Sequence, residues 1–488
     1  MKKNQLFILL LSFVFSIAAE AKLSTSKMKK LAKVIEKSSR APKTKKLRDR
    51  ARTLESLGLY HMALRDWRNV LARRDFSKSD SNHYGATALI LGRERATAKS
   101  ASAVLSRSKR KAGALLKAAY SSYLFKRGKT KSAARFAPSL SQVMRLSDSA
   151  ARRQALHYLG ALGVARKRDD SAASAYRSLI PEEKDITLSP GLAHLQLARL
   201  YYSRGKVNEA LEHLGSIGKD SASWHEAMFV SAWSAFRNQD YNLALGQIMS
   251  LRSPYLVNKF SPEIHVLEAA SLYALCYYQS AQRSIAELNK RYQSLSRSVN
   301  RFERSYGRGT RALKAMREYA AGNMQIFNGL PANHGKLIAD SVLSSESASA
   351  LERSLSLAER EQKIVGEIFK ALPKTRWNLS LRKSYLAEIS RAKSDYTNQL
   401  TRMIPKRFKW MKAELARTLR QGQTIKLETD FRLRDRLVTG QAPRLGKVQF
   451  DTKVDQGYEF WPFEGEFWRD ELGSYFFITA DACDSRGT

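Results

Sequence analysis

Leu192–Leu214, LAHLQLARLYYSRGKVNEALEHL, sets Ala198 and Ala210 twelve residues apart, with Tyr201 between them and Gly205 at a turn. A helical chain ordinarily wants bulk at those two places. The same spacing returns thirty-four residues on, as Ala232 and Ala244 in AMFVSAWSAFRNQDYNLALGQI. It returns again as Ala269 and Ala281 in VLEAASLYALCYYQSAQRSIAEL, after a connection three residues longer. Two antiparallel helices approach closely only where a small residue on one faces a small residue on the other. Large apolar residues at helical intervals must then pack on the next pair, because one pair cannot bury its own face.

His194, Leu197, Ala198, Tyr201, Ala210 and Leu214 follow one another at the places that the 34-residue tetratricopeptide repeat gives to W-x2-L-G-x2-Y and its later alanine. The sequence resembles that family. Weaker copies lead back towards the N-terminus, centred on Ala63, Ala98 and Ala133, and on Ala161 with Ala173. Together they predict about seven units over 43–292. The expected fold class is all-α: an α-solenoid of such hairpins, against the alternative of an irregular helical bundle. After Tyr292, residues 293–421 read as helical. Leu386, Lys393 and Leu400 with Ile389, Tyr396 and Met403 form a heptad seam, and Pro373 divides two helices. That pattern predicts a helical hairpin or short coiled coil. Residues 422–488 are rich in aromatic residues and alternate enough to suggest short strands around Gly457 and Gly465.

Charge is the extreme feature of composition. The 488 residues hold 85 Lys and Arg against 45 Asp and Glu, a formal net charge of +40. Such an excess favours polyanionic partners. The start, MKKNQLFILLLSFVFSIAAEA, has basic Lys2 and Lys3, an apolar run, and Ala19 and Ala21 placed for cleavage. It reads as a secretory signal peptide over 1–21, followed by a basic segment over 22–42. Export makes the expected location periplasmic. It also turns the basic surface towards an anionic wall polymer or membrane surface and away from nucleic acid. Runs such as KLRDRAR and RSKRKAG read first as solvated helix faces. Cys276 and Cys483 can pair in an oxidising compartment; the alternative is a buried and a free thiol.

The one stretch with the composition of a catalytic site is EFWPFEGEFWRDEL, where Glu464, Glu466, Asp470 and Glu471 lie near Trp461 and Trp468. Glycoside hydrolysis needs two carboxylates about a sugar, and indole rings stack on sugar faces. A tail whose Trp461 and Trp468 dock on the helices, with its acids solvated, is the reading preferred. Among the histidines, His61, His157, His194, His213, His225 and His265 show no metal-ligand spacing, so neither a metal nor a cofactor is expected.

The tetratricopeptide resemblance implies a binding groove lined by the first helix of each pair. Carried onto this register, its inward places are Tyr158 and Arg166, then Arg199 and Tyr202, then Phe229, Trp233, Phe236 and Arg237. Aromatic residues and arginines dominate protein–protein contacts. The expectation is a non-catalytic adaptor or scaffold that takes envelope proteins through a peptide or tail in its groove, within a motility, secretion or envelope-assembly complex. The rival expectation is a protein that binds or cleaves peptidoglycan through its C-terminal carboxylates and tryptophans.

Overall fold

Seven of the positive-φ residues among those described mark hairpin turns: Gly58, Gly92, Gly128, Lys167, Gly205, Gln239 and Cys276. Each ends the first helix of a hairpin, where the left-handed conformation satisfies the last carbonyls and turns the chain back. These turns belong to a computed structural model that describes residues 24–40, 42–183, 191–256, 259–323, 330–439, 450–452, 466–477 and 483. The chain forms two compact units, 1–179 with 349–400 and 180–348 with 401–488.

In the first unit α1 (Thr25–Ser39) precedes the hairpins α2 (Thr44–Ser56) with α3 (Tyr60–Leu71), and α4 (Lys78–Ile90) with α5 (Glu94–Arg107). Next come α6 (Ala114–Lys126) with α7 (Thr130–Phe136), the short α8 (Leu140–Met144), and α9 (Ser149–Ala165) with α10 (Asp169–Glu183). Hairpins of the second unit are α11 (Leu192–Ser203) with α12 (Val207–Gly215), α13 (Trp224–Arg237) with α14 (Tyr241–Leu251), and α15 (Glu263–Ala274) with α16 (Tyr278–Tyr292). They are followed by α17 (Leu295–Tyr306), α18 (Thr310–Ala320) and α19 (Ala332–Leu343). Two long helices complete the set, α20 (Glu346–Ala371) and α21 (Arg376–Val438). A two-stranded antiparallel ribbon pairs β1 (Phe450–Thr452) with β2 (Tyr475–Phe477), Phe450 opposite Phe477. The architecture is all-α, with tetratricopeptide-like hairpins stacked within each unit and, among the described residues, short strands only near the C-terminus.

The turns supply the true register. Seven residues before each one stands a small residue: Ala51, Gly85, Ser121, Gly160, Ala198, Ala232 or Ala269. Five residues after it stands Ala63, Thr97, Ala133, Ala172, Ala210, Ala244 or Ala281. The two alanines of each clear unit, 198 with 210, 232 with 244 and 269 with 281, have no exposed surface. In the two most degenerate units the sequence reading is one residue out. Gly160, not Ala161, makes the close approach in α9, and a Cβ there would lie 2.3 Å from the Tyr176 ring. Ala172 and Thr97 take the places expected of Ala173 and Ala98. Adjoining alanines hid the offset, since either member of AA or GA satisfies a spacing rule, whereas only one points at the neighbouring helix.

Stacking follows the same logic in both units. Met228 and Ala232 on α13 cluster with Ile248 and Leu251 on α14 and with Ile264 and Leu267 on α15. Leu124 on α6 and Ala133 on α7 cluster with Tyr158 and Leu162 on α9. Each core is thus closed by the first helix of the next hairpin, as the quasi-one-dimensional build of repeats requires.

The long helices do not form a free coiled coil. In the first unit α21 buries Leu381, Tyr385, Ile389, Ala392, Tyr396 and Leu400, a stripe stepping by three and four. Of the expected seam, Leu386 and Lys393 are only half-buried. The stripe packs on the chain's own hairpins. Asp66 accepts from Arg50 Nε at 2.6 Å and from the Tyr385 hydroxyl at 2.7 Å, while Glu388 accepts from Arg68 at 3.0 Å and Arg93 at 3.2 Å. Lys393 reaches Gln362 at 3.0 Å, so α20 and α21 are themselves a hairpin. Glu361 on α20 accepts from the backbone N–H of His61 at 3.0 Å and of Met62 at 3.1 Å. Leu59 precedes α3 and offers no capping side chain, so a carboxylate distant in sequence fills the capping role. In KLRDRAR, Arg50 is only 1% exposed. It is an interior cation neutralised by Asp66, which corrects the expectation of a solvated face. In the second unit α21 runs on to Val438, past the boundary expected at residue 421, and Gly422 lies at a close approach to α16. A Cβ there would lie 2.8 Å from Leu288.

The register makes a direct prediction. A Cβ on Gly85 would fall 2.3 Å from the Leu116 backbone nitrogen, so Gly85→Ala is expected to cost about 2 kcal/mol or more in urea denaturation. Ala161→Leu, at the half-buried neighbour of the true contact, is expected to stay within about 0.5–1 kcal/mol. Equal losses would refute the register.

Candidate protein-binding face

On α13 of the second unit, Phe229, Trp233 and Phe236 recur at the spacing of one helical face, and each is half-buried. Their inner edges pack on the Met228–Ala232–Ile248–Leu251–Ile264–Leu267 cluster. The Trp233 and Phe236 rings meet edge-on at 6.0 Å, and Phe236 meets Tyr241 at 5.5 Å. Arg237 ends the helix exposed. It donates to the Tyr202 carbonyl at 3.0 Å and lies 5.3 Å from the centroid of the Tyr202 ring. Arg199 is ion-paired with Glu226. Six of the residues expected to bind therefore fall on α11 and α13, with Tyr202 beside Arg237 and Trp233 beside Phe236.

The other two belong to the first unit and fare differently. Tyr158 is 6% exposed and hydrogen-bonds Ser121 from inside the hairpin core, where burial pushes its hydroxyl up to about 12. It is a packing residue, and this corrects its expected place in the groove. The cause is the one-residue offset of α9, which turns Tyr158 inward. Arg166 is exposed beside the turn.

The C-terminal segment is held on the same unit by backbone groups. Gly473 N–H donates to Ser250 Oγ at 2.7 Å, Gln247 donates to the Gly473 carbonyl at 3.3 Å, and Lys219 donates to the Asp470 carbonyl. Gly473, with φ of 91°, allows the bend. Leu472, Tyr475 and Phe477 are buried, and Phe477 meets Tyr277 edge-on at 5.8 Å. Trp468 is 58% exposed, so it is not the anchor expected of it. The smaller Tyr475 and Phe477 enter instead because strand alternation points both at α14. Trp461 and Glu464 lie outside the described residues. Cys276 and Cys483 are joined by a disulfide, with Cα atoms 5.3 Å apart. Of the four carboxylates in the rival catalytic reading, Glu466 and Asp470 are exposed and Glu471 accepts from the Tyr475 hydroxyl at 2.8 Å.

The histidines are buried or half-buried among side-chain partners. His61 lies between Glu361 at 2.8 Å and Tyr396 at 3.0 Å, and His157 is 6.3 Å from the Tyr176 ring. His194 and His213 approach to 3.2 Å; burial and then His213 hold the His194 pKa down. Burial, with Lys259 nearby, takes His225 to about 4. Burial, with Arg252 and Arg291, takes His265 to about 3. No cluster of three or more His, Cys, Asp or Glu able to hold a metal ion occurs among the described residues. No helix among them is long and apolar enough to cross a membrane.

Solved helical-repeat structures resemble this chain loosely. The structure titled Naa15/Naa10 bound to HypK-THB aligns at a TM-score of 0.32 and 13% identity, over 82% of this chain and 64% of that one. The chain thus spans about two-thirds of that protein's length. The P58(IPK) TPR domain aligns at 0.19 and 12% identity, over 78% and 99% of the two chains. Yeast Tom70 aligns at 0.23 and 11%, over 83% and 99%. No family model and no curated protein matches the sequence. With overlays this loose, the fold assignment rests on the hairpins described above.

Acid should weaken the second unit. His225 and His265 titrate below the ordinary value of about 6.5, so the unfolded chain takes up protons first as pH falls. The stability they lend is complete above pH ~6.5 and declines towards pH ~4, by ~1.4 kcal/mol per histidine for each pH unit crossed. Urea midpoints at pH 7 and pH 4.5 should diverge less in His225→Gln/His265→Gln; an unchanged difference would count against this account. Cys483→Ser should raise amide exchange over 466–477 while leaving α11 protected. No change there would show that the disulfide is not what retains the segment.

Proposed function

We propose that the protein is a non-catalytic scaffold that captures partner proteins on the face of α11 and α13. The observation that carries this reading is the half-buried row Phe229–Trp233–Phe236, bordered by exposed Arg237 and by the Arg199–Glu226 pair. Half-burial fixes the rings against their own core, so little rotamer freedom is left to lose on binding, while the outer faces stay available. Arginine at the border suits a carboxylate on an extended segment of the partner. Tetratricopeptide-like hairpins hold these side chains on rigid helices rather than on loops.

The setting we propose is the periplasm, within an envelope complex. It is supported by the N-terminal pattern over 1–21 and by the net charge of +40, which favours an anionic wall or membrane surface nearby.

Crosslinking in cells through an epitope-tagged chain tests both parts. Trp233→Ala/Arg237→Ala is expected to reduce the yield of the captured partner at least tenfold, on the order of a hot-spot loss. Glu466→Gln should leave that yield unchanged. An unaltered crosslink pattern in the double variant would refute the binding face. Recovery of the tagged chain only from the cytoplasmic fraction would refute the proposed setting.

A further inference from the structure

A pocket of about 460 Å³ opens in the first unit, between the end of α1, the α2–α3 hairpin and the start of α21. Its size is that of a small-molecule site. Arg50, Arg65 and Arg73 line it, together with Asn69, Ser380 and Trp377. Among the described residues no carboxylate does.

The carboxylate that Arg50 and Arg65 share is already committed. Both oxygens of Asp66 are taken, Oδ1 by Arg50 at 2.9 Å and Arg65 at 2.6 Å, Oδ2 by Arg50 at 2.6 Å and Tyr385 at 2.7 Å. One negative charge therefore balances two guanidiniums, and Arg73 adds a third with no ion pair among the described residues. Arg65 spends Nε on Ser384 at 2.8 Å and Nη1 on Asp66, which leaves its Nη2 without an acceptor among the described residues. Arg50 is held rigid by Asp66 and by the Ser38 carbonyl at 2.8 Å. The pocket is thus a net-positive set of donors, two of its three guanidiniums held in place by Asp66, with hydroxyl and amide groups beside it and an indole on one side.

We infer that this pocket binds a phosphate monoester, its terminal oxygens on Arg65 and Arg73 and its organic part against Trp377. Arg65 and Arg73, with serine and asparagine donors beside them and the charge of Arg50 behind, match a dianion with three terminal oxygens better than a carboxylate with two. The ester comes either from a small soluble molecule or from a lipid headgroup, and the chemistry recognised is the same.

Titration calorimetry of the full chain with glycerol 3-phosphate, inorganic phosphate, acetate and glycerol tests the assignment. Both phosphates should bind and glycerol should not, with acetate at least tenfold weaker than glycerol 3-phosphate. Arg73→Glu should weaken glycerol 3-phosphate at least tenfold and Arg73→Lys much less. The melting temperature of the free chain should not move in either variant, because Arg73 is exposed. Flotation with phosphatidylcholine vesicles, with and without phosphatidic acid, identifies the source. Calorimetric binding without flotation supports a soluble ester, and flotation that requires both phosphatidic acid and Arg73 supports a headgroup. Absence of both signals, equal binding of acetate, or an unaffected Arg73→Glu variant would overturn the inference.

Discussion

Everything in this chain depends on how closely two helices of a hairpin can approach. At each turn a residue in the left-handed conformation fixes the distance, in residues, to the two points of contact, and both points must be small. Where the first helix uses glycine, as at Gly85 and Gly160, even a methyl group would collide with the opposing backbone or ring. The close approach leaves large side chains no room between the paired helices. They are driven to the outer faces of each hairpin, where they form the core shared with the next one. Stacking is a consequence of that crowding.

Such a stack leaves polar ends and interior charges that it cannot satisfy alone, and in the first unit the α20–α21 hairpin supplies what is missing. Glu361 caps α3, Tyr385 completes the shell of Asp66, and Glu388 holds Arg68 and Arg93. Removing one partner of such a buried group is costly, because the other remains desolvated and unpaired. The same hairpin buries a stripe of apolar residues. It therefore serves the first unit as an integral layer.

The second unit solves a related problem at α14 with an extended segment. Backbone donors and acceptors around Gly473 satisfy Ser250 and Gln247, while Tyr475 and Phe477 fill apolar space and a disulfide closes the arrangement. Neutral histidines inside this unit add a dependence on pH, since each is buried where a proton would be costly. Stability and the orientation of the α11–α13 face thus rest on the same interior.

Period and spacing alone determined that the chain is built of helical hairpins, because a contact between small residues at a fixed distance from a turn is a local property. Phe229, Trp233 and Phe236 were legible for the same reason: helical spacing within a clear unit tells which face a residue occupies. Tyr158 was misplaced where neighbouring small residues made two registers equally good on paper, and only the packing of Gly160 on Tyr176 chose between them. Gly92 and Gly128, read as turn residues, would have given the correct frame for α4–α7; at Lys167 no glycine marks the turn. What the tertiary structure alone decided are contacts between residues hundreds apart. Glu361 on the end of α3, Arg50 turned inward to Asp66, and the arginine-lined pocket beside Trp377 all depend on which surfaces the long helices cover. Local pattern carries no record of that, since charge and helical period are the same whether a face meets water or another helix.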